Sequence, residues 1–272
     1  MHGGGDCAGG WATARFRELV TAPAEALTTS FDEAVLLVAA HAEPDLEIEV
    51  YRARLDELAA ACAAPVLEDV LHRLFAVEGF RGNVEDYYDP RNSYLNEVLD
   101  RRLGIPITLG ILVMEVGRRL GVPMAGVPMP GHFLLRLESE PAVLVDAFAG
   151  GQLLSPSQCV DRFRMIHGPD APFDPTYLQP MGPHAVLARL LANLRHIHAN
   201  HRDSQSLEWV LRLRTMLPGV TVEERSERAG VLVALAQFDE AAGVLESLAD
   251  EAPPPRANDL MAKAKRLRAR LN

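Results

Sequence analysis

A histidine stands just behind a Pro-Gly pair in "MPGHFLLR", and 14 residues later an aspartate interrupts the apolar run "AVLVDAF". His132 and Asp146, carried on neighbouring extended segments, make a physically sensible pair. The carboxylate would fix one tautomer of the imidazole and stabilise its cation, leaving the other ring nitrogen to face a nucleophile. An aspartate inside so apolar a run is expected to be buried and must find a partner; His132 is the obvious one.

A helix N-terminus is one place where a nucleophile could meet such a pair, because the dipole there favours an anion. The helix predicted to begin near Pro106 in "GIPITLGILVMEVG" directly precedes the strands and is the right element in the right order. Its first turn holds no cysteine, and Thr108 is the only nucleophile-type side chain there. A threonine hydroxyl is far from ionising at neutral pH, and its methyl group crowds the attack. Thr108 is therefore either a nucleophile in need of a well-placed base or a hydroxyl that caps the first turn.

Cys7, Cys62 and Cys159 are odd in number and widely spaced, with no CxxC pair. That pattern argues against a disulfide framework and for a reducing compartment. None falls where a nucleophile is wanted: a terminus, a helical region, and a stretch beyond the strands. In "RHIHANH" His198 and His201 share a helix face, but no acidic residue follows to complete a zinc site, so a solvated helix end is expected rather than a metal. No cofactor is expected either. In "YYDPRNSYLN", Tyr87, Tyr88 and Asn92 are candidate groove-lining residues beside the His/Asp pair; the other reading is a loop fixed by turn bonds from Asp89, Asn92 and Ser93.

The elements that must position these residues follow from periodicity. Residues 1–14 read as a disordered, Gly-rich terminus, and 15–80 as a helical region with apolar residues three and four apart. Residues 81–182 hold the central core. There a polar loop and short helix lead to the buried helix from Pro106 to Gly121, and "MAGVPM", "HFLLRL" and "AVLVDAF" read as antiparallel strands. "GGQLLSPSQCVDRF" reads as a turn and short helix. Residues 183–272 are helical to the end and contain two helix pairs, in which Pro218 and Pro253 recur at close to the tetratricopeptide period. The fold class is α+β and mostly helical, with one helix packed on a small antiparallel sheet and helix pairs behind it.

The net charge of -10 opposes non-specific nucleic-acid binding, which needs a positive surface to displace counterions. The basic tail "KAKRLRAR" reads as a solvated helix face. The opening residues lack an apolar core of the secretory type, and the most apolar run is short and contains Glu115, so a cytoplasmic protein without membrane association is expected.

The run "NSYLNEVLDRRLGIPITLGILVMEVGRRLGVPMAGVPMPGHFLLR", with "LVDAFAGGQLLS" after it, resembles the SirB-like bacterial proteins of the transglutaminase-like superfamily. The likeness is specific over about residues 80–160 and extends more loosely to both sides. It implies a papain-like core in which His132 and Asp146 are the triad histidine and aspartate, and the helix after "GIP" carries the nucleophile. The superfamily's chemistry is acyl transfer through a thioester, and at its cysteine this chain offers threonine. The expectation is a non-catalytic or regulatory protein, a pseudoenzyme that binds a protein partner or small ligand through a His/Asp groove and its helical repeats. The partner would dock on the C-terminal helices. The alternative is an amide or peptide hydrolase, or an acyl-transferase, using Thr108, His132 and Asp146.

Overall fold

Pro, Gly and short polar breaks punctuate the apolar periodicity of this chain, and its helices fall between them. The computed structural model describes residues 7–270, with side chains from residue 10 onward. The N-terminal region is α1 (Cys7–Thr21), α2 (Ala24–Thr29), α3 (Phe31–Ala39), α4 (Ile48–Ala60) and α5 (Leu67–Leu71), the last running into a π-helical turn at His72–Val77. The start of α1 corrects the expected disordered stretch for residues 7–14. Ala12, Phe16, Leu19 and Val20 recur at helical spacing and are buried, and α1 packs on α3, which is what orders it. Residues 1–6 of that expectation lie outside the described residues.

The central elements are β1 (Arg81–Gly82), α6 (Leu95–Arg101), β2 (Leu103–Gly104), α7 (Pro106–Arg119), and four strands, β3 (Met124–Val127), β4 (Leu134–Leu137), β5 (Leu144–Asp146) and β6 (Gln152–Leu154). β1 and β2 pair in parallel, and β3 to β6 form one antiparallel sheet in sequence order. The sequence reading expects three strands; β6 is the fourth, in the stretch expected as a turn. It pairs Gln152 with Asp146 and Leu154 with Leu144, so it extends the sheet from the aspartate's own strand.

α7 is the hub of this core. Pro106 opens it with a preset φ and Gly121, at φ +73°, stops it. Ile107, Leu109, Ile111, Leu112, Val113 and Val116 are all buried, and the helix touches α4, α5, α6, β3 and β4. Gly110 on α7 lets the helix lie against Phe133, since a Cβ there would stand 2.8 Å from the ring. A second apolar cluster joins Val127, Leu134, Leu144 and Leu154 of the strands to Cys159 and Phe163 of α8 (Pro156–His167).

The chain divides into two compact units, residues 1–190 and 191–272. The division falls within α9 (Pro183–His201), the helix at which the sequence reading begins its helical region. The second unit continues with α10 (Ser204–Arg214), α11 (Val222–Ala234), α12 (Phe238–Glu251) and α13 (Pro254–Arg268). Arg202 and Ala236, which close α9 and α11, both adopt the left-handed conformation, at φ 56° and 60°. The same turn thus recurs in each pair at the helical-repeat spacing of about 34 residues. Among the described residues no helix is long and apolar enough to cross a membrane.

Candidate functional site

His132 lies in the turn just ahead of β4, and Asp146 is the last residue of β5. The turn is tight: the His132 N–H donates to the Met129 carbonyl at 2.9 Å, and Gly131 takes φ +73° with a space behind it already filled by Ile166 and His167. Pairing of β4 with β5 then brings the two side chains together, with His132 Nε2 2.8 Å from Asp146 Oδ2. Asp146 is fully buried, and its second oxygen accepts from the Ala149 N–H at 3.0 Å. With the carboxylate ionised, Nε2 carries the proton and Nδ1 the lone pair; among the described residues nothing hydrogen-bonds Nδ1.

Two arginines that the sequence reading does not single out decide the electrostatics. Arg162, on α8, also donates to Asp146 Oδ2 and reaches Gln152 Oε1 at 2.9 Å. Arg189, on α9, donates to the carbonyls of His132 at 2.6 Å and Met129 at 3.1 Å, and its guanidinium lies over the Phe133 ring. Burial and the positive charges of Arg162 and Arg189 push the His132 pKa from 6.5 down to about 4. The Asp146 charge that would stabilise an imidazolium is already engaged by a guanidinium. A basic residue in "CVDRF" at one helical turn from a buried cysteine is the only sequence signal for Arg162.

Thr108 is completely buried, and its hydroxyl is committed to backbone. It donates to the Asn92 carbonyl at 2.6 Å and accepts from the Ile105 N–H at 3.1 Å. That is the capping role of the two offered by the sequence, and it ties α7 to the loop before α6. Cys159 is completely buried, and burial pushes its thiol up to about 11. Cys62 is also raised by burial, and its Sγ points at the carbonyls of Leu58 and Asp69. Neither thiol is set up as a thiolate.

Asn92 corrects one expectation. It lines no groove: it is fully buried, donating to the Asp86 carbonyl at 2.7 Å and the Tyr87 carbonyl at 3.3 Å while accepting from Asn83 Nδ2 at 3.0 Å. It is the knot of the 83–92 loop, and what it presents is Tyr87 and Tyr88. Both are exposed and meet edge-to-face at 5.4 Å. Tyr87 continues onto Phe148 at 6.0 Å, and Phe148 onto the His132 ring at 6.4 Å. The surface leading to His132 is therefore aromatic. Gly82 makes room for it, because a Cβ there would stand 2.5 Å from the Phe148 ring.

His198, expected at a solvated helix end, is instead buried, with Nδ1 3.3 Å from Asp203 Oδ2 and the ring edge-on to Trp209. Among the described residues no group of three or more His, Cys, Asp or Glu side chains is placed to hold a metal ion. A charge network escapes the sequence reading altogether. Asp32 and Glu115 are buried and share Arg119, with Arg52 and Arg118 beside them. Burial raises Glu115, whereas for Asp32 burial is outweighed by the Arg119 hydrogen bond and charge, which hold it below its usual range.

A family model described as the transglutaminase-like superfamily matches residues 38–192. The chain is 35% identical to a UPF0162 protein of Xylella fastidiosa strain Temecula1 over 229 residues, covering 75% of this chain and 80% of that one. It is 39% identical to the UPF0162 protein of strain 9a5c over 181 residues, 61% of this chain and 63% of the other. It is also 39% identical to mouse F-box only protein 21 over 103 residues, 35% of this chain but 16% of that protein. No solved structure matches.

Proposed function

We propose that this chain, which belongs to the transglutaminase-like superfamily and within it to the SirB-like UPF0162 proteins, is a binding protein rather than a thiol acyl-transferase. The observation that carries this reading is the state of the inherited triad. Its nucleophile position is a threonine whose hydroxyl is spent on capping α7. Its carboxylate is shared with Arg162, and burial together with the charges of Arg162 and Arg189 keeps the histidine neutral, with a lone pair at Nδ1 beside an aromatic surface. A neutral imidazole framed by Phe148, Tyr87 and Tyr88 is suited to accept a hydrogen bond from a ligand or a partner's side chain. The C-terminal helix pairs supply a second, protein-binding face. The shared stretch in F-box only protein 21, a small fraction of that much longer protein, fits a module used for attachment.

On the side of the hydrolase alternative stands the His132–Asp146 hydrogen bond itself, the geometry of a general base and its orienter. Titration of the His132 ring by nitrogen NMR separates the two. A binding site of this kind keeps the ring neutral, protonated on Nε2, down to about pH 4. A midpoint at or above 6.5 would mean that the carboxylate stabilises the cation, as base catalysis requires, and would return the hydrolase reading to first place.

A further inference from the structure

The second unit carries a groove of about 510 Å³ between α11 and α13, with Leu245 of α12 among its lining residues. One wall is a single face of α11, where Ser226, Ala229, Gly230 and Val233 recur at helical spacing. The other is formed by Lys263, Arg266 and Leu267 of α13 together with Arg270, which lies just beyond the end of that helix. The apolar part is formed by Ala229, Val233, Leu245 and Leu267, and the lining contains no carboxylate.

Elsewhere in the second unit several arginines are met by acids: Arg268 by Asp239 and Glu246, Arg225 by Glu251, Arg228 by Glu208. In the groove, Lys263 and Arg266 make no ion pair among the described residues, although the chain has ten more acidic than basic side chains. Arg270 lies over the Phe238 ring, which still leaves its charge uncompensated by an acid. An acidic protein that gathers unpaired cations on one apolar groove presents a local potential opposite to its own net charge.

We infer that the α11–α13 groove binds an acidic, amphipathic segment of a partner protein. The apolar side chains of the segment fill the floor, and its Asp or Glu side chains pair with Lys263, Arg266 and Arg270. Lys263 and Arg266 stand about 5 Å apart along the axis of α13, close to one helical turn, and Arg270 follows just beyond the helix. Single-stranded nucleic acid is the poorer occupant, because the floor offers aliphatic side chains and no aromatic platform on which a base could stack.

This inference rests on the reading of the C-terminal helices as a protein-binding face, and the experiment keeps the two apart. The intact chain is titrated, by fluorescence anisotropy, with labelled peptides of about a dozen residues, long enough for three helical turns. One peptide combines Leu with Glu, a second replaces Glu by Gln, a third by Lys; a uridine oligonucleotide is the fourth probe. Two variants accompany the wild type. Lys263→Glu/Arg266→Glu reverses the exposed rim, and Gly230→Leu fills the groove from an exposed position where a Cβ meets nothing within 4 Å, so both variants are expected to fold, as circular dichroism would check. The Glu peptide is expected to bind best, to weaken with added salt, and to lose about tenfold or more in affinity with either variant. Equal or tighter binding of the Gln peptide, still abolished by Gly230→Leu, overturns the acidic occupant and leaves the protein-binding face standing. Preference for the oligonucleotide overturns the acidic occupant as well. Peptide binding that ignores Gly230→Leu, or no peptide binding at all, overturns both.

Discussion

Around His132, burial and then the charges of Arg162 and Arg189 make a further positive charge costly, while Asp146 orients the ring. The consequence for stability has a definite sign. The unfolded histidine takes up a proton near pH 6.5, whereas the folded ring resists protonation until about pH 4. Between those values the unfolded state binds more protons, so stability falls as pH drops through this window and is regained as it rises. At about 1.4 kcal/mol per pH unit, the effect approaches roughly 3 kcal/mol at full development. Urea unfolding of the wild type and of His132→Gln between these limits checks it: the variant should show a flatter dependence. At this scale the sequence revealed His132 and Asp146, because a polar residue within an apolar run is conspicuous. It did not reveal Arg162 or Arg189, since arginines on amphipathic helices resemble solvated ones until the fold brings them to a buried carboxylate or a turn carbonyl.

Among the elements, the 83–92 loop and the closing turns of the helix pairs carry the clearest expectations. Asn92 satisfies two carbonyls and one amide from the interior of that loop. Asn92→Ala should therefore cost about 2–4 kcal/mol, since it leaves buried partners unpaired. It should also loosen Tyr87 and Tyr88, read as a lower Tm together with a change in near-ultraviolet circular dichroism. Ala236 sits in the left-handed region without the freedom of glycine. Ala236→Gly should stabilise the molecule by about 0.5–1 kcal/mol in the same thermal melts, by relieving that conformation. The long helices and three of the four strands of the antiparallel sheet were legible from periodicity and from Pro and Gly stops. β6 was not, because three residues behind two glycines carry no alternation of their own; the strand exists because β5 offers an edge to pair with. The π-helical turn after α5 was likewise invisible in "HRLFAV", which reads as a continuing helix.

For the molecule as a whole, the transglutaminase-like core sets α7 against the sheet, with His132 bonded to Asp146 and the Thr108 hydroxyl in the first turn of α7 committed to backbone. The core is heavily braced. Asp32, Glu115 and Arg119 lock α3 to α7, and Thr108 locks α7 to the tyrosine-bearing loop. Such bracing serves a presented surface as well as it serves catalysis, and turnover tells the uses apart. The most direct measurement is therefore the hydrolysis of a panel of amide and thioester substrates by the intact chain and by its His132→Ala variant. Equal rates at the uncatalysed background, for every substrate, are what this account predicts. Turnover by the wild type that disappears in His132→Ala would contradict it.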